Sequence, residues 1–123
     1  MYFENTNVEN IVSEIFILDE IMLQHNLVRG GQWDYERVTY DKKYTLKEGT
    51  FYLRIFGYAL EGDVDRRDAI IQLKKPVVGK HYYPFGVEYG EDEHFPKSLL
   101  KDCEETLKQV YAALEKHNLK KAK

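Results

Sequence analysis

The sequence predicts an α+β fold in which an antiparallel β-sheet of about four to six strands is covered on one side by an N-terminal and a C-terminal helix. Residues rich in Tyr, Phe, Val, Ile and Thr cluster in the middle of the chain, as in β-strands. Apolar residues at helical spacing lie at both ends, and each helix has a single apolar stripe. Each helix should therefore cover the sheet from one side, which leaves the other side to solvent or to a partner. With 123 residues, we expect a single domain spanning residues 1–123.

The first helix is predicted over Ser13 to Asn26. Its apolar stripe consists of Ile15, Leu18, Ile21 and Met22. Asp19 and Glu20 are interpreted as lying toward its start, where carboxylates suit the helix dipole. Gly30-Gly31 breaks the chain after it.

Residues 32–60 predict a long β-hairpin with Glu48-Gly49 as its turn. This register places Leu46 opposite Phe51 and Tyr40 opposite Gly57. Because side chains alternate along a strand, one face becomes apolar. The apolar face comprises Val38, Tyr40, Tyr44, Leu46, Phe51, Leu53, Gly57 and Ala59. The other face carries Arg37, Thr39, Asp41, Lys43, Thr45, Tyr52, Arg54, Phe56, Tyr58 and Leu60. Here Lys43 would lie directly opposite Arg54, and Asp41 diagonally from it.

The remaining elements follow in order. A third strand is predicted over Asp68 to Lys74, with Pro76 and Gly79 in a connection after it. Residues 81–89 look extended but are interrupted by Pro84, which suits an edge strand or a bend. Pro96 fits the first position of the terminal helix. The apolar stripe of this helix is Leu99, Cys103, Leu107, Val110 and Leu114.

Composition excludes several classes of function. The net charge of −3 argues against nonspecific nucleic-acid binding, so no nucleic-acid partner is expected. No apolar run is long enough to span a membrane, the N-terminal residues do not resemble a signal peptide, and Cys103 is the single cysteine. These observations predict a cytoplasmic protein. The sequence lacks a P-loop, a GxSxG motif and paired histidines at zinc spacing, so we expect no cofactor and no metal.

Four blocks carry a family resemblance: GQWDYERVTYD at 31–41, EGTFYLR at 48–54, EGDV at 61–64 and GKHYYPFGVEYG at 79–90. They resemble the YugN-like family of small, functionally uncharacterised bacterial proteins, and the resemblance spans nearly the whole chain. It implies a compact α+β fold of one domain. It supplies no catalytic residues to carry over.

Three groups of residues are candidates for chemistry. Arg54 between Tyr52, Phe56 and Tyr58 could bind a carboxylate or phosphate, or it could form a cation–π and ion-pair cluster that stabilises the sheet. Asp63, Asp65 and Asp68 could hold a divalent cation, but a solvated loop explains them better. His81 beside two tyrosines could serve acid–base chemistry, whereas a packed turn is the default interpretation.

These observations favour a non-catalytic cytoplasmic binding or interaction module. Its working face would consist of Tyr35, Arg37, Tyr52, Arg54, Phe56 and Tyr58, with His81 as a further contact. The predicted partner is a second copy of the chain, as a homodimer, or a small anionic ligand. The alternative is a small enzyme acting on an anionic metabolite with Arg54, Tyr58 and His81 or Asp63 around a cleft. A third hypothesis, single strands of nucleic acid stacking on the sheet aromatics, is weakened by the acidic charge.

Overall fold

Strand β4, the longest in the sheet, organises the fold. The structure is a computed structural model that describes residues 1–30, 35–82, 86–90 and 93–119. Within these residues the strands are β1 (Val12–Glu14), β2 (Val28–Arg29), β3 (Arg37–Leu46), β4 (Gly49–Glu61), β5 (Ile70–Leu73), β6 (Val77–Tyr82) and β7 (Gly86–Glu88). The helices are α1 (Ile15–Gln24) and α2 (Lys97–Glu115). The predicted α+β class is confirmed, with seven strands among the described residues.

The sheet is antiparallel, and β4 has partners along both of its edges. One edge pairs with β3 along nearly its whole length. The other edge pairs with β6 from Thr50 to Arg54 and with β5 from Gly57 to Glu61. Beyond these strands, β2 extends the sheet at β3, β1 extends it at β5, and β7 pairs with β6.

The inner face of the sheet and the two helices form the hydrophobic core. The predicted apolar face of the hairpin is confirmed: Val38, Tyr40, Phe51 and Leu53 are buried, and Ile55 is buried with them. The predicted residues Tyr44, Leu46 and Ala59 are partly buried and pack against the core. The predicted helical stripes are confirmed in full. They comprise Ile15, Leu18, Ile21 and Met22 in α1, and Leu99, Cys103, Leu107, Val110 and Leu114 in α2.

The register of the hairpin differs from the prediction by two residues. The turn is Lys47-Glu48, and Gly49 begins β4 opposite Leu46 with a φ of 141°. Asp41 is therefore directly opposite Arg54, where the predicted register placed Lys43. A shift of two residues keeps every side chain on its predicted face, so the hydrophobic pattern could not detect it. The direct pairing replaces a repulsion between cations with an ion pair.

The residue opposite Gly57 also differs from the prediction, since it is Val38 and not Tyr40. A Cβ atom at position 57 would lie 2.7 Å from Ile71 Cγ2 and 3.2 Å from Val38 Cγ2. Glycine is required there because side chains from both neighbouring strands close over the backbone.

Three other predicted details are corrected. Helix α1 begins at Ile15 because Val12–Glu14 pair with β5, and its first turn therefore contains no carboxylate. Gly79 lies inside β6, not in a connection. Pro96 immediately precedes the first helical residue of α2. The predicted interruption at Pro84 lies outside the described residues.

Candidate functional site

The outer sheet face is formed by the side chains that alternate with the buried ones along β3 and β4. These side chains are Arg37, Thr39, Asp41, Lys43, Tyr52, Arg54, Phe56 and Tyr58. The face divides into two halves that differ in accessibility. One half surrounds Arg54, and the other surrounds Tyr58.

Arg54 is held by contacts within the protein. Its Nε and Nη2 donate hydrogen bonds to the two carboxylate oxygens of Asp41 at 2.7 and 2.8 Å, and its Nη1 donates to the Tyr89 hydroxyl at 2.5 Å. Its Cζ lies 5.9 Å from the centre of the Tyr52 ring and 6.0 Å from that of Phe56. The hydrogen bonds that Arg54 donates to Asp41 raise the pKa of Arg54, so the guanidinium stays charged. This is the geometry of a cross-strand stabilising cluster.

Tyr89 covers this half of the outer sheet face. A Cβ atom on Gly79 would lie 2.5 Å from Val87 Cγ1 and 2.6 Å from a carbon of the Tyr89 ring. The ring therefore packs directly on the backbone of β6, and its hydroxyl reaches Arg54. Burial raises the pKa of Tyr89, although the charge of Arg54 acts in the opposite direction. Tyr89 thus remains a neutral hydroxyl at physiological pH.

The other half of the outer sheet face opens into a groove of about 840 Å³. Its floor has two rows of side chains that run across the strands. Arg37, Tyr58 and Gln72 form the first row, because Tyr58 pairs with both of the others. Thr39 and Phe56 begin the second row, which ends at Lys74, whose backbone N–H donates to the Phe56 carbonyl at 2.8 Å. The remaining lining residues are Tyr2, Glu9, Asn10, Gly57, Leu73 and Lys75.

The described residues that line the groove carry more cations than carboxylates, in a chain whose net charge is −3. They include three cations, Arg37, Lys74 and Lys75, and one carboxylate, Glu9. Lys75 forms an ion pair with Glu4 at 3.0 Å. Gln72 donates a hydrogen bond to Asn10 at 2.9 Å, which ties the N-terminal loop to β5 at the border of the groove.

Comparison with known proteins identifies the family. The model of the YugN-like family matches residues 4–122. This chain belongs to the YugN-like family. It is 53% identical over 115 residues to the uncharacterized protein YlbA of Bacillus subtilis (strain 168), with coverage of 88% of this chain and 96% of YlbA.

A solved structure from the same family has the same fold. The crystal structure of the uncharacterized conserved protein YugN from Geobacillus kaustophilus HTA426 is 57% identical in sequence, with a TM-score of 0.83. The comparison covers 94% of this chain and 96% of that one. Neither relative's name states an activity or a ligand, so the function of this YugN-like chain has to be argued from its own geometry.

The predicted site residues separate into three places. Arg37, Phe56 and Tyr58 line the groove, and Tyr52 and Arg54 belong to the closed half. Tyr35 is exposed just before β3, and its carbonyl accepts a hydrogen bond from the backbone N–H of Val64.

His81 is far from the groove. It lies opposite Thr50, near the start of β4, with its ring 6.0 Å from that of Tyr52. Tyr58 is eight positions farther along the same strand, which corresponds to roughly 25 Å. Asp63 lies in the loop after β4. His81 therefore does not join Arg54 and Tyr58 in the cleft that one version of the alternative enzyme hypothesis requires.

Two further findings concern metals and membranes. Within residues 1–30, 35–82, 86–90 and 93–119, no group of three or more His, Cys, Asp or Glu side chains is placed to hold a metal ion. Neither helix of this part of the chain has the length and apolar character needed to cross a membrane.

Lys74 and Tyr89 were not predicted as site residues. Lys74 reaches the groove because β4 changes partners from β6 to β5 between Arg54 and Gly57, and this brings the connecting residues 74–76 beside Phe56. Tyr89 reaches Arg54 across 35 residues of sequence. Sequence spacing carries no signal for either contact.

Proposed function

We propose that this YugN-like protein is a non-catalytic, cytoplasmic binding module whose groove on the outer sheet face holds a small anionic molecule. One observation carries the proposal: two aromatic side chains, Phe56 and Tyr58, lie on the floor of the groove between two cations, Arg37 and Lys74. The volume of about 840 Å³ is within the range of sites for small molecules. Aromatic rings would provide contact area, and the cations would orient the anion.

The types of side chain in the groove support binding without catalysis. Among the described residues that line it, there is no histidine, cysteine or serine, which are among the commonest catalytic bases and nucleophiles. Cys103 is buried in α2, and burial raises the pKa of its thiol to about 12. A single, protonated thiol that is part of the core also suits a reducing compartment such as the cytoplasm.

A homodimer through the same face is the second candidate. It is favoured by three exposed apolar side chains near the end of the hairpin, Tyr35, Tyr58 and Leu60. Exposed aromatic and aliphatic groups of this kind are typical of interface centres. A second copy would cover Tyr58 and compete with a small molecule for the groove.

The test combines native mass spectrometry with binding of a defined probe. The probe is para-biphenyl carboxylate, an apolar aromatic body with one anionic group. We expect the wild-type chain either to retain a small anion from purification or to bind the probe, with NMR shifts at Arg37, Phe56 and Tyr58. Arg37→Glu should abolish binding. Lys43→Glu is the matched control, because it makes the same charge reversal on an exposed position of β3 outside the groove.

Two results would contradict the small-molecule proposal. One is a wild-type chain that carries no small molecule and shows no shift with the probe. The other is a wild-type dimer, measured by light scattering, that a Tyr58→Glu, Leu60→Glu double variant converts to a monomer. The second result would establish the homodimer in its place.

A further inference from the structure

The two cations that flank the groove floor lie at diagonally opposite corners. Arg37 is on β3 in the first row, and Lys74 follows β5 in the second row, with β4 between them. Two strand spacings across the sheet and two residues along it separate their Cα atoms by about 12 Å. Both side chains line the same cavity. A single carboxylate bound by Arg37 therefore leaves Lys74 at the other end of the ligand.

The surface between these corners is apolar. Phe56 and Tyr58 occupy the middle position of each row, on β4. A ligand that spans from Arg37 to Lys74 has to cross both of these side chains. A flat apolar body would bury more area on the rings than a polar or strongly bent one.

Lys75 and Glu9 are the other charged groups among the described lining residues. Lys75 is held by Glu4 at 3.0 Å, so its charge is offset locally. Glu9 enters the groove from the N-terminal loop, next to Asn10, which binds Gln72.

We infer that the groove binds a planar, apolar molecule with an acidic group at each end, of the class of aromatic dicarboxylates. This inference rests on the proposed small-anion function and specifies its ligand. Arg37 would donate a charged hydrogen bond to one acidic group, Lys74 would hold the other as a point charge, and Phe56 and Tyr58 would contact the body.

The test compares three probes by calorimetry and by NMR of the backbone amides. They are para,para′-biphenyl dicarboxylate, para-biphenyl carboxylate and suberate, a flexible dicarboxylate without rings. We expect the biphenyl dicarboxylate to bind about tenfold or more tightly than either of the others, because a charged hydrogen bond is lost in one case and the ring contacts in the other. The shifts should occur in the two rows of the groove floor.

Variants locate the second acidic group. Lys74→Gln should reduce the affinity for the biphenyl dicarboxylate to about that for the monocarboxylate, and should weaken binding of the monocarboxylate much less, because Arg37 can still hold its one acidic group. Lys43→Gln removes an exposed cation of the same face outside the groove. This control should keep the difference in affinity between the dicarboxylate and the monocarboxylate. Both side chains are exposed, so neither variant is expected to unfold the chain.

The outcomes separate this inference from the function on which it rests. Equal affinity for the dicarboxylate and the monocarboxylate, with shifts in the groove, would overturn the two-ended ligand and leave the small-anion function intact. Unchanged discrimination in Lys74→Gln would also overturn it. No shift in the groove with any of the three probes would overturn both.

Discussion

Asp41 and Arg54 face each other directly across β3 and β4 and are joined by two parallel hydrogen bonds of 2.7 and 2.8 Å. Both side chains are about one-fifth exposed, at 21% and 22%. This pair, together with the Tyr89 hydroxyl, closes one half of the outer sheet face and leaves the groove as its open half.

Asp41→Ala should lower the free energy of unfolding by about 1–2 kcal/mol, because it leaves the guanidinium of Arg54 without its carboxylate in a half-buried site. Urea denaturation followed by circular dichroism measures this. Lys43→Ala, an exposed residue two positions along the same strand, should stay within about 0.5 kcal/mol of wild type. Equal effects of the two variants would contradict a stabilising role for the pair.

Gly79→Ala should destabilise the packing of β7 on the sheet, since the added methyl group would collide with Val87 and with the Tyr89 ring. The expected cost is about 1–3 kcal/mol, as for overpacking elsewhere. Hydrogen exchange should show lost protection in β6 and β7. Gly30→Ala is the comparison, because its methyl group would approach a movable hydroxyl, Thr39 Oγ1, at 3.1 Å. Full retention of protection in Gly79→Ala would show that Tyr89 does not pack as described.

Tyr40→Phe should reduce stability by about 1 kcal/mol, because the buried Tyr40 hydroxyl donates a hydrogen bond to Asp19 at 2.7 Å. Burial, followed by the contact with Asp19, raises the pKa of Tyr40 above its ordinary value of 10.0. Because the pKa of Tyr40 is higher in the folded than in the unfolded chain, its hydroxyl contributes fully to stability below pH 10.0. That contribution is lost as the pH rises above this value.

Wild type should consequently lose stability at alkaline pH more steeply than Tyr40→Phe. Thermal melts at neutral and at strongly alkaline pH measure the difference between the two proteins. If that difference does not change with pH, the hydroxyl is not buried against Asp19.

Asp102→Asn should lessen the loss of stability in acid. Asp102 accepts a hydrogen bond from the Tyr44 hydroxyl at 2.6 Å and from Lys42 Nζ at 3.2 Å, and these contacts lower its pKa below 3.8. A pKa depressed in the folded state gives stability that is present above 3.8 and is lost as the pH falls through the folded-state value. The difference in urea midpoint between wild type and the variant should be present at neutral pH and should shrink in acid. Glu104→Gln, which removes an exposed carboxylate from α2, serves as the control. If both variants respond to acid in the same way, Asp102 makes no specific contribution.

The hydrophobic periodicities predicted the architecture because they depend on local geometry alone. Alternation along residues 37–60 separates Leu53 and Ile55 from Arg54, and helical spacing predicts the buried stripes of both helices. The same patterns could not fix the hairpin register, since a shift of two residues leaves the faces unchanged.

The sequence by itself determined which side chains lie in the core and which lie on the outer sheet face. Tertiary structure alone decided which half of that face is open, because Tyr89 covers Arg54 from 35 residues away and Lys74 arrives where β4 exchanges one partner strand for another. The physical reason is that burial follows from local periodicity, whereas a groove depends on contacts between segments that are distant in the chain.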